Sequence, residues 1–193
     1  MTDDVGGALM DASVFNLNGG ELKGNGTIAS SVITSGTQTI APGLSPGALT
    51  LEGDLTLSAG STLDLEIGGL TQGTLYDYLD VNGTLTLAGL LNLSFLNDFQ
   101  NSLGMGSLFT LASSDAAVLG SFSNVANGGF LTDMASLHTF SVHYGAGSLY
   151  NPNDVVLYAV TPEPGRALLL MLGLLGLTLR RKRHACAVDS ASV

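Results

Sequence analysis

The chain repeats a short strand-and-turn pattern, and that repetition restricts its fold more than any other feature. From Leu49 it reads Leu-Thr-Leu-Glu-Gly-Asp-Leu-Thr-Leu-Ser-Ala-Gly, and from Leu79 it reads Leu-Asp-Val-Asn-Gly-Thr-Leu-Thr-Leu-Ala-Gly. Leu49, Leu51, Gly53, Leu55 and Leu57 thereby align with Leu79, Val81, Gly83, Leu85 and Leu87 at an offset of about 30 residues. Leu63–Ile67 finds a counterpart in Leu91–Phe95, and Leu22–Ile28 has the same pattern. Apolar side chains at every second position put one face of each strand inward and the other in water. A repeat of this kind buries its apolar face against the next copy, which is how solenoids are built.

Turn residues punctuate the strands. Gly53, Gly60, Gly83 and Gly89 mark corners, and the stretch Thr39–Leu49 carries two Pro-Gly pairs where a central strand cannot run. Asn82-Gly83 and Asn127-Gly128 equally suit two-residue hairpins. An antiparallel β-sandwich therefore stands as the alternative to a solenoid.

Charge is distributed very unevenly. Residues 1–161 hold one basic side chain, Lys23, against fourteen carboxylates, a formal charge of −13. Nucleic-acid binding rests on cationic contacts to phosphate, so this body excludes it. Acidic surfaces attract divalent cations, which keeps calcium in view, while the plainer role of the charge is solubility. Apolar residues are too abundant and too regularly placed for disorder. The single Cys186 lies in the tail, so the body has no disulfide and holds together by backbone ladders and apolar packing.

The tail differs in kind. Pro162-Glu163-Pro164 precedes an uncharged Leu-rich run, Ala167–Leu179, which is followed by Arg180, Arg181, Lys182 and Arg183. Breaker, apolar helix and positive stop, in that order, predict a transmembrane helix over 167–179, with the basic cluster on the cytoplasmic side and residues 1–161 outside the cytoplasm. The run reaches only about 20 Å as a helix against about 30 Å of hydrocarbon, so spanning relies on snorkelling and local bilayer thinning. This arrangement resembles the PEP-CTERM sorting signal of bacteria. The resemblance implies an exosortase-like processing enzyme as partner, cleavage near Pro162–Pro164, and delivery to the cell surface or an extracellular polysaccharide matrix. Two departures are a ten-residue extension, His184–Val193, and an acidic N-terminus with no secretory signal. Both the missing signal and the absence of a capping segment over residues 1–35 lead us to expect that residue 1 is not the natural beginning and that the chain closes a longer array.

A second resemblance covers about residues 15–160. Gly26-Thr-Ile28, the double Pro-Gly, Gly53–Leu57 and Tyr76–Leu85 are similar to the passenger repeats of autotransporter-type adhesins. That similarity implies a right-handed parallel β-helix ending in strands that carry Phe and Tyr, as Phe122, Phe140–Tyr144 and Asp154–Tyr158 do here.

Candidate chemistry is thin. Asp64 and Glu66 stand two apart on one strand face, about 7 Å, within the roughly 5–9.5 Å of a glycosidase pair. Alternating carboxylates on a wet strand face explain them better. His138 and His143 lie near Asp133 and Asp154 in sequence, but odd spacing on a strand sends the two rings to opposite faces. Tyr76-Asp77-Tyr78 suits either sugar stacking or a buried coil edge. No phosphate loop, nucleophile elbow, zinc spacing or calcium nonapeptide appears. The expectation is thus an all-β chain: a β-solenoid body over residues 1–160 and a sorting signal over 161–193 with one C-terminal transmembrane helix. It is read as a non-catalytic, structural or adhesive bacterial envelope protein, first anchored in the inner membrane, with no catalytic residue, metal or cofactor. The alternatives are a polysaccharide-active enzyme and a calcium-dependent adhesive module.

Overall fold

A computed structural model describes residues 2–4, 14–133 and 138–160. Its strands are β1 (Thr2–Asp4), β2 (Val14–Leu17), β3 (Gly20–Gly24), β4 (Gly26–Ile28), β5 (Ser31–Thr34), β6 (Gln38–Pro42), β7 (Ala48–Leu51), β8 (Leu55–Thr56) and β9 (Ser61–Ile67). They continue with β10 (Tyr78–Val81), β11 (Leu85–Leu87), β12 (Leu90–Phe95), β13 (Leu108–Ser114), β14 (Val118–Gly120), β15 (Gly129–Thr132), β16 (Thr139–His143) and β17 (Asp154–Ala159).

The chain winds through three sheets in rotation. One holds β1-β3-β6-β9-β12, the second β14-β11-β8-β5-β2, and the third β15-β16-β17-β13-β10-β7-β4. Every pairing from β1 to β14 is parallel between successive circuits. The repeat alignment is realised in the ladders: Leu49 pairs with Leu79, Leu51 with Val81, Leu55 with Leu85, and Leu63 with Leu91. Asn82-Gly83 is accordingly a corner between sheets rather than a hairpin.

Alternation stacks apolar side chains in columns along the interior. One column runs Val32, Leu55, Leu85, Val118, and another Leu22, Ile40, Leu63, Leu91, all buried. Each fully buried Leu or Ile contributes about 2 kcal/mol through apolar burial. The circuits are unequal: cross-circuit bonds span 23 residues at Asp54–Ser31, 30 at Thr84–Asp54 and 33 at Leu91–Asn124. Extra residues leave the frame as loops, at 68–77 and at 96–107, the latter holding a 3-10 turn over Phe99–Ser102. A single offset of about 30 is therefore an average over corners that absorb insertions.

The array ends in a cap. β17 pairs antiparallel with β13, β16 with β17, and β15 with β16, so the third sheet turns from parallel to antiparallel. Phe140 stacks on Phe95 at 5.1 Å, and Tyr144 meets Phe122 edge-on at 5.4 Å while donating its hydroxyl to the Val125 carbonyl at 2.6 Å. These side chains cover the apolar cross-section of the last circuit, as a solenoid end requires. The open edge of β12 is closed differently. The Asn124 amide accepts the Leu91 N–H at 3.0 Å and donates to the Leu91 carbonyl at 2.8 Å, taking the place of a strand residue.

The fold expected from sequence, a right-handed parallel β-helix followed by one C-terminal transmembrane helix, is corrected. The described residues are all-β with one sheet of mixed direction, and among them no helix is long and apolar enough to cross a membrane. The physical weakness lay in length, since the expected helix over 167–179 falls about 10 Å short of the hydrocarbon thickness. Residues 161–193, with Pro162, Glu163, Pro164 and the 180–183 cluster, lie outside the described residues.

Candidate functional site

Asp64 and Glu66 occupy one outward face of β9, as their spacing requires. The Asp64 carboxylate accepts a hydrogen bond from the Asn92 side chain at 2.7 Å, one of several polar rungs between circuits. Asn82 donates to Glu52 at 3.0 Å in the same manner. His143 lies on β16 and His138 just before it, and no group of three or more metal-ligating side chains occurs among the described residues. Tyr76 is buried, packed edge-on against Phe109 at 5.2 Å, and Tyr78 donates its hydroxyl to Ser113 at 2.7 Å. Sugar stacking is therefore not where this triplet points.

Asp77, between the two tyrosines, has a role that spacing does not reveal. Its carboxylate is buried and receives two backbone donors, Gly47 N–H on Oδ1 and Glu66 N–H on Oδ2, each at 2.8 Å. Burial raises its pKa to about 6, against the lowering effect of the two N–H bonds and of Lys23; Glu66 adds to the rise. Asn25 of the preceding circuit accepts the Ala48 N–H at 3.0 Å. The Pro-Gly bend is thus held from both neighbouring circuits. Gly43 has φ +92°, and a Cβ there would lie 2.3 Å from the Gly47 backbone nitrogen and 2.6 Å from Asp77 Oδ1. A side chain at this corner would force the Gly43 and Gly47 backbones apart and crowd the carboxylate.

A concave surface with convergent aromatic groups lies on the outer face of the cap. Register aligns Leu108, Tyr158, Ser141 and Phe130 in a row across β13, β17, β16 and β15. The loop after β16 lays Leu149 and Tyr150 beside that row. Phe130, Ser141, His143, Leu149, Tyr150 and Tyr158 thereby line a groove of about 420 Å³. Tyr150 meets His143 at 5.1 Å and Tyr158 at 6.2 Å between ring centroids. Phe130 and Leu149 are 63% and 82% exposed, unusual for large apolar side chains. His143 is 6% exposed; its Nε2 shares a hydrogen bond with Ser141 Oγ at 3.1 Å, while its buried Nδ1 has no partner. Desolvation lowers the His143 pKa, keeping the ring neutral near pH 7. Sequence reasoning missed this site because its members come from three strands and a loop. The only local signal is the run of aromatic residues in 130–158.

Comparison with known proteins returns one partial likeness of note. The chain is 44% identical over 66 residues to the Adhesin BmaC autotransporter of Brucella suis biovar 1 (strain 1330). The matched stretch is 33% of this chain and 2% of that adhesin, so the chain spans a small fraction of its relative. No family model matches, and no solved structure does.

Proposed function

We propose that this chain is a non-catalytic part of a bacterial surface protein with an adhesive or structural role. The observation that carries the reading is the 66-residue likeness to an autotransporter adhesin, which is consistent with a cell-surface adhesive protein. The three-sheet coil supports it physically: a stack of ladders closed by side-chain rungs makes a stiff rod whose outer faces are free to meet a partner. A body with a formal charge of −13 stays soluble and self-repelling once exported.

The finer reading is that an exosortase-like membrane enzyme recognises Pro162-Glu163-Pro164 and releases the body toward the surface or a polysaccharide matrix. Support for it is the order of that tripeptide, the Leu-rich run and Arg180–Arg183 in the sequence. Two measurements separate the readings. Protease added to intact cells degrades a surface-exposed body, and deleting the gene lowers attachment of cells to a glycan-coated or host-cell surface; unchanged attachment and protection from protease overturn the adhesive role. Intact mass of the natural product reports processing. A product ending near Pro162 supports sorting, and a product retaining the 180–183 cluster overturns it.

A further inference from the structure

We propose that a slot between β12 and β15 binds an extended, cationic segment of a partner polypeptide, which pairs with β12 as an added strand. This extends the adhesive reading to a class of partner and rests on it only for the biological setting. The slot has a volume of about 170 Å³. It touches three consecutive residues of each strand or its end, Leu91, Asn92 and Leu93 on one side and Leu131, Thr132 and Asp133 on the other. Side chains alternate between faces along a strand, with Leu91 buried and Asn92 bonded to Asp64 on the outer face. A space that meets successive residues therefore abuts the strand edge itself. Both strands end their sheets: among the described residues no strand pairs beyond β12 in the first sheet or beyond β15 in the third.

Register fixes which backbone groups face the slot. The Leu96 N–H donates to the Ile67 carbonyl, so the even-numbered residues of β12 turn to β9 and the odd-numbered ones turn outward. Asn124 satisfies the first outward residue, Leu91, as acceptor and donor at once. An amide group therefore already occupies the start of this edge. Leu93 and Phe95 follow with their N–H and C=O groups in the same direction, at a pitch of about 7 Å. Thr132 likewise turns its backbone away from β16, since the Asp133 N–H donates to the His138 carbonyl. Only an extended polypeptide offers alternating donors and acceptors at that pitch, and pairing with a sheet edge is a recurring mode of peptide recognition. The stacked rings of Phe95 and Phe140 border the same slot and give an apolar side chain of the incoming strand a surface to cover. Charge decides the rest of the segment. A second copy brings another −13, whereas Lys or Arg at the ends of a peptide is drawn toward the acidic body.

The test follows the fluorescence anisotropy of a labelled, end-capped hexapeptide, Lys-Val-Thr-Val-Thr-Lys, as the full chain is added. Saturable binding is expected. N-methylation of the four central residues keeps the charge and the side chains, removes the N–H donors, and weakens binding at least tenfold. Thr132→Trp fills the slot from an exposed position, so it keeps the fold and weakens binding at least tenfold. Leu93→Pro removes an outward N–H that the ladder with β9 does not use; it weakens binding at least fivefold and leaves the far-ultraviolet circular dichroism unchanged. No binding of the hexapeptide, equal binding of its N-methylated form, or binding untouched by Thr132→Trp overturns the inference. Self-association of the wild-type chain that Thr132→Trp abolishes overturns it in favour of a second copy. Failure of the adhesive reading is seen elsewhere, in cell attachment: gene-deleted cells that attach normally defeat the adhesive role and leave the slot standing, and a purified chain that ignores the hexapeptide defeats the slot alone.

Discussion

The Asp77 carboxylate accepts the backbone N–H of Gly47 at 2.8 Å, tying the second Pro-Gly corner to a strand entry 30 residues further along. The backbone joins the same two places, since the Tyr78 N–H donates to the Gly47 carbonyl at 2.9 Å and the Asp77 N–H to the Glu66 carbonyl at 2.9 Å. One side chain therefore pins β9, the bend before β7 and the start of β10. Its removal leaves two N–H groups without their acceptor in a site that water does not easily reach.

Asp77→Ala is expected to destabilise the body by about 2–4 kcal/mol, from about 1–3 kcal/mol for each buried donor left unpaired, less relaxation. Asp77→Asn keeps one acceptor and turns the amide nitrogen toward the other donor, so an intermediate loss is expected. Urea unfolding followed by circular dichroism measures both. A loss under 0.5 kcal/mol for the alanine variant, roughly that of an ordinary surface change, contradicts the pinning role.

Protonation of Asp77 sets a pH dependence of definite sign. Its folded pKa, about 6, lies above the usual carboxylate value, so the native state holds the proton more tightly than the unfolded chain. Stability therefore falls as pH rises from about 4 to about 6, and increases on mild acidification from neutrality. Melting temperature measured across that window should rise toward acid in the wild type, and the slope should flatten in Asp77→Asn. The comparison with the variant isolates this group from the general relief of repulsion among the other carboxylates.

Gly43→Ala should cost more than about 1 kcal/mol, because the backbone there is left-handed and the added Cβ lies 2.3 Å from the Gly47 backbone nitrogen and 2.6 Å from Asp77 Oδ1. Gly128 is a useful control: it too has a positive φ, +76°, but nothing lies near an added Cβ. Thermal unfolding of the two variants separates strain alone from strain plus crowding against the Gly47 backbone and Asp77. Equal losses would show that close packing at the Gly43 corner is unimportant.

Asn124→Ala should leave the core intact and uncover the backbone of Leu91 at the edge of β12. Unpaired strand edges recruit other chains. Concentration-dependent self-association, read by light scattering, is expected in the variant above the wild-type level. A monomeric variant at every concentration would mean that the cap hairpin alone protects the edge.

The pairing of Leu49 with Leu79 and of Leu63 with Leu91 was legible because a strand's alternation is local and survives any rearrangement outside it. The outward placement of Asp64 and Glu66 followed from the same alternation. Asp77 was not legible: a lone carboxylate between two tyrosines has no spacing that announces its partners. Tyr76 and Tyr78 illustrate the same limit, since one is buried against Phe109 and the other bonds Ser113 at 35 residues' separation.

By itself, the sequence determined that the body is built of strands, which side chains form its columns, and that this body is acidic and free of disulfides. Period-two alternation and turn residues act within a few residues, so no other part of the chain is needed to decide them. Tertiary structure alone decided the reversal from parallel to antiparallel at β17, the anchoring of Asp77, the edge closure by Asn124, and the gathering of Phe130, His143, Tyr150 and Tyr158 in one groove. Each depends on register between segments far apart in sequence, and register is selected by how completely the last circuit buries its apolar cross-section.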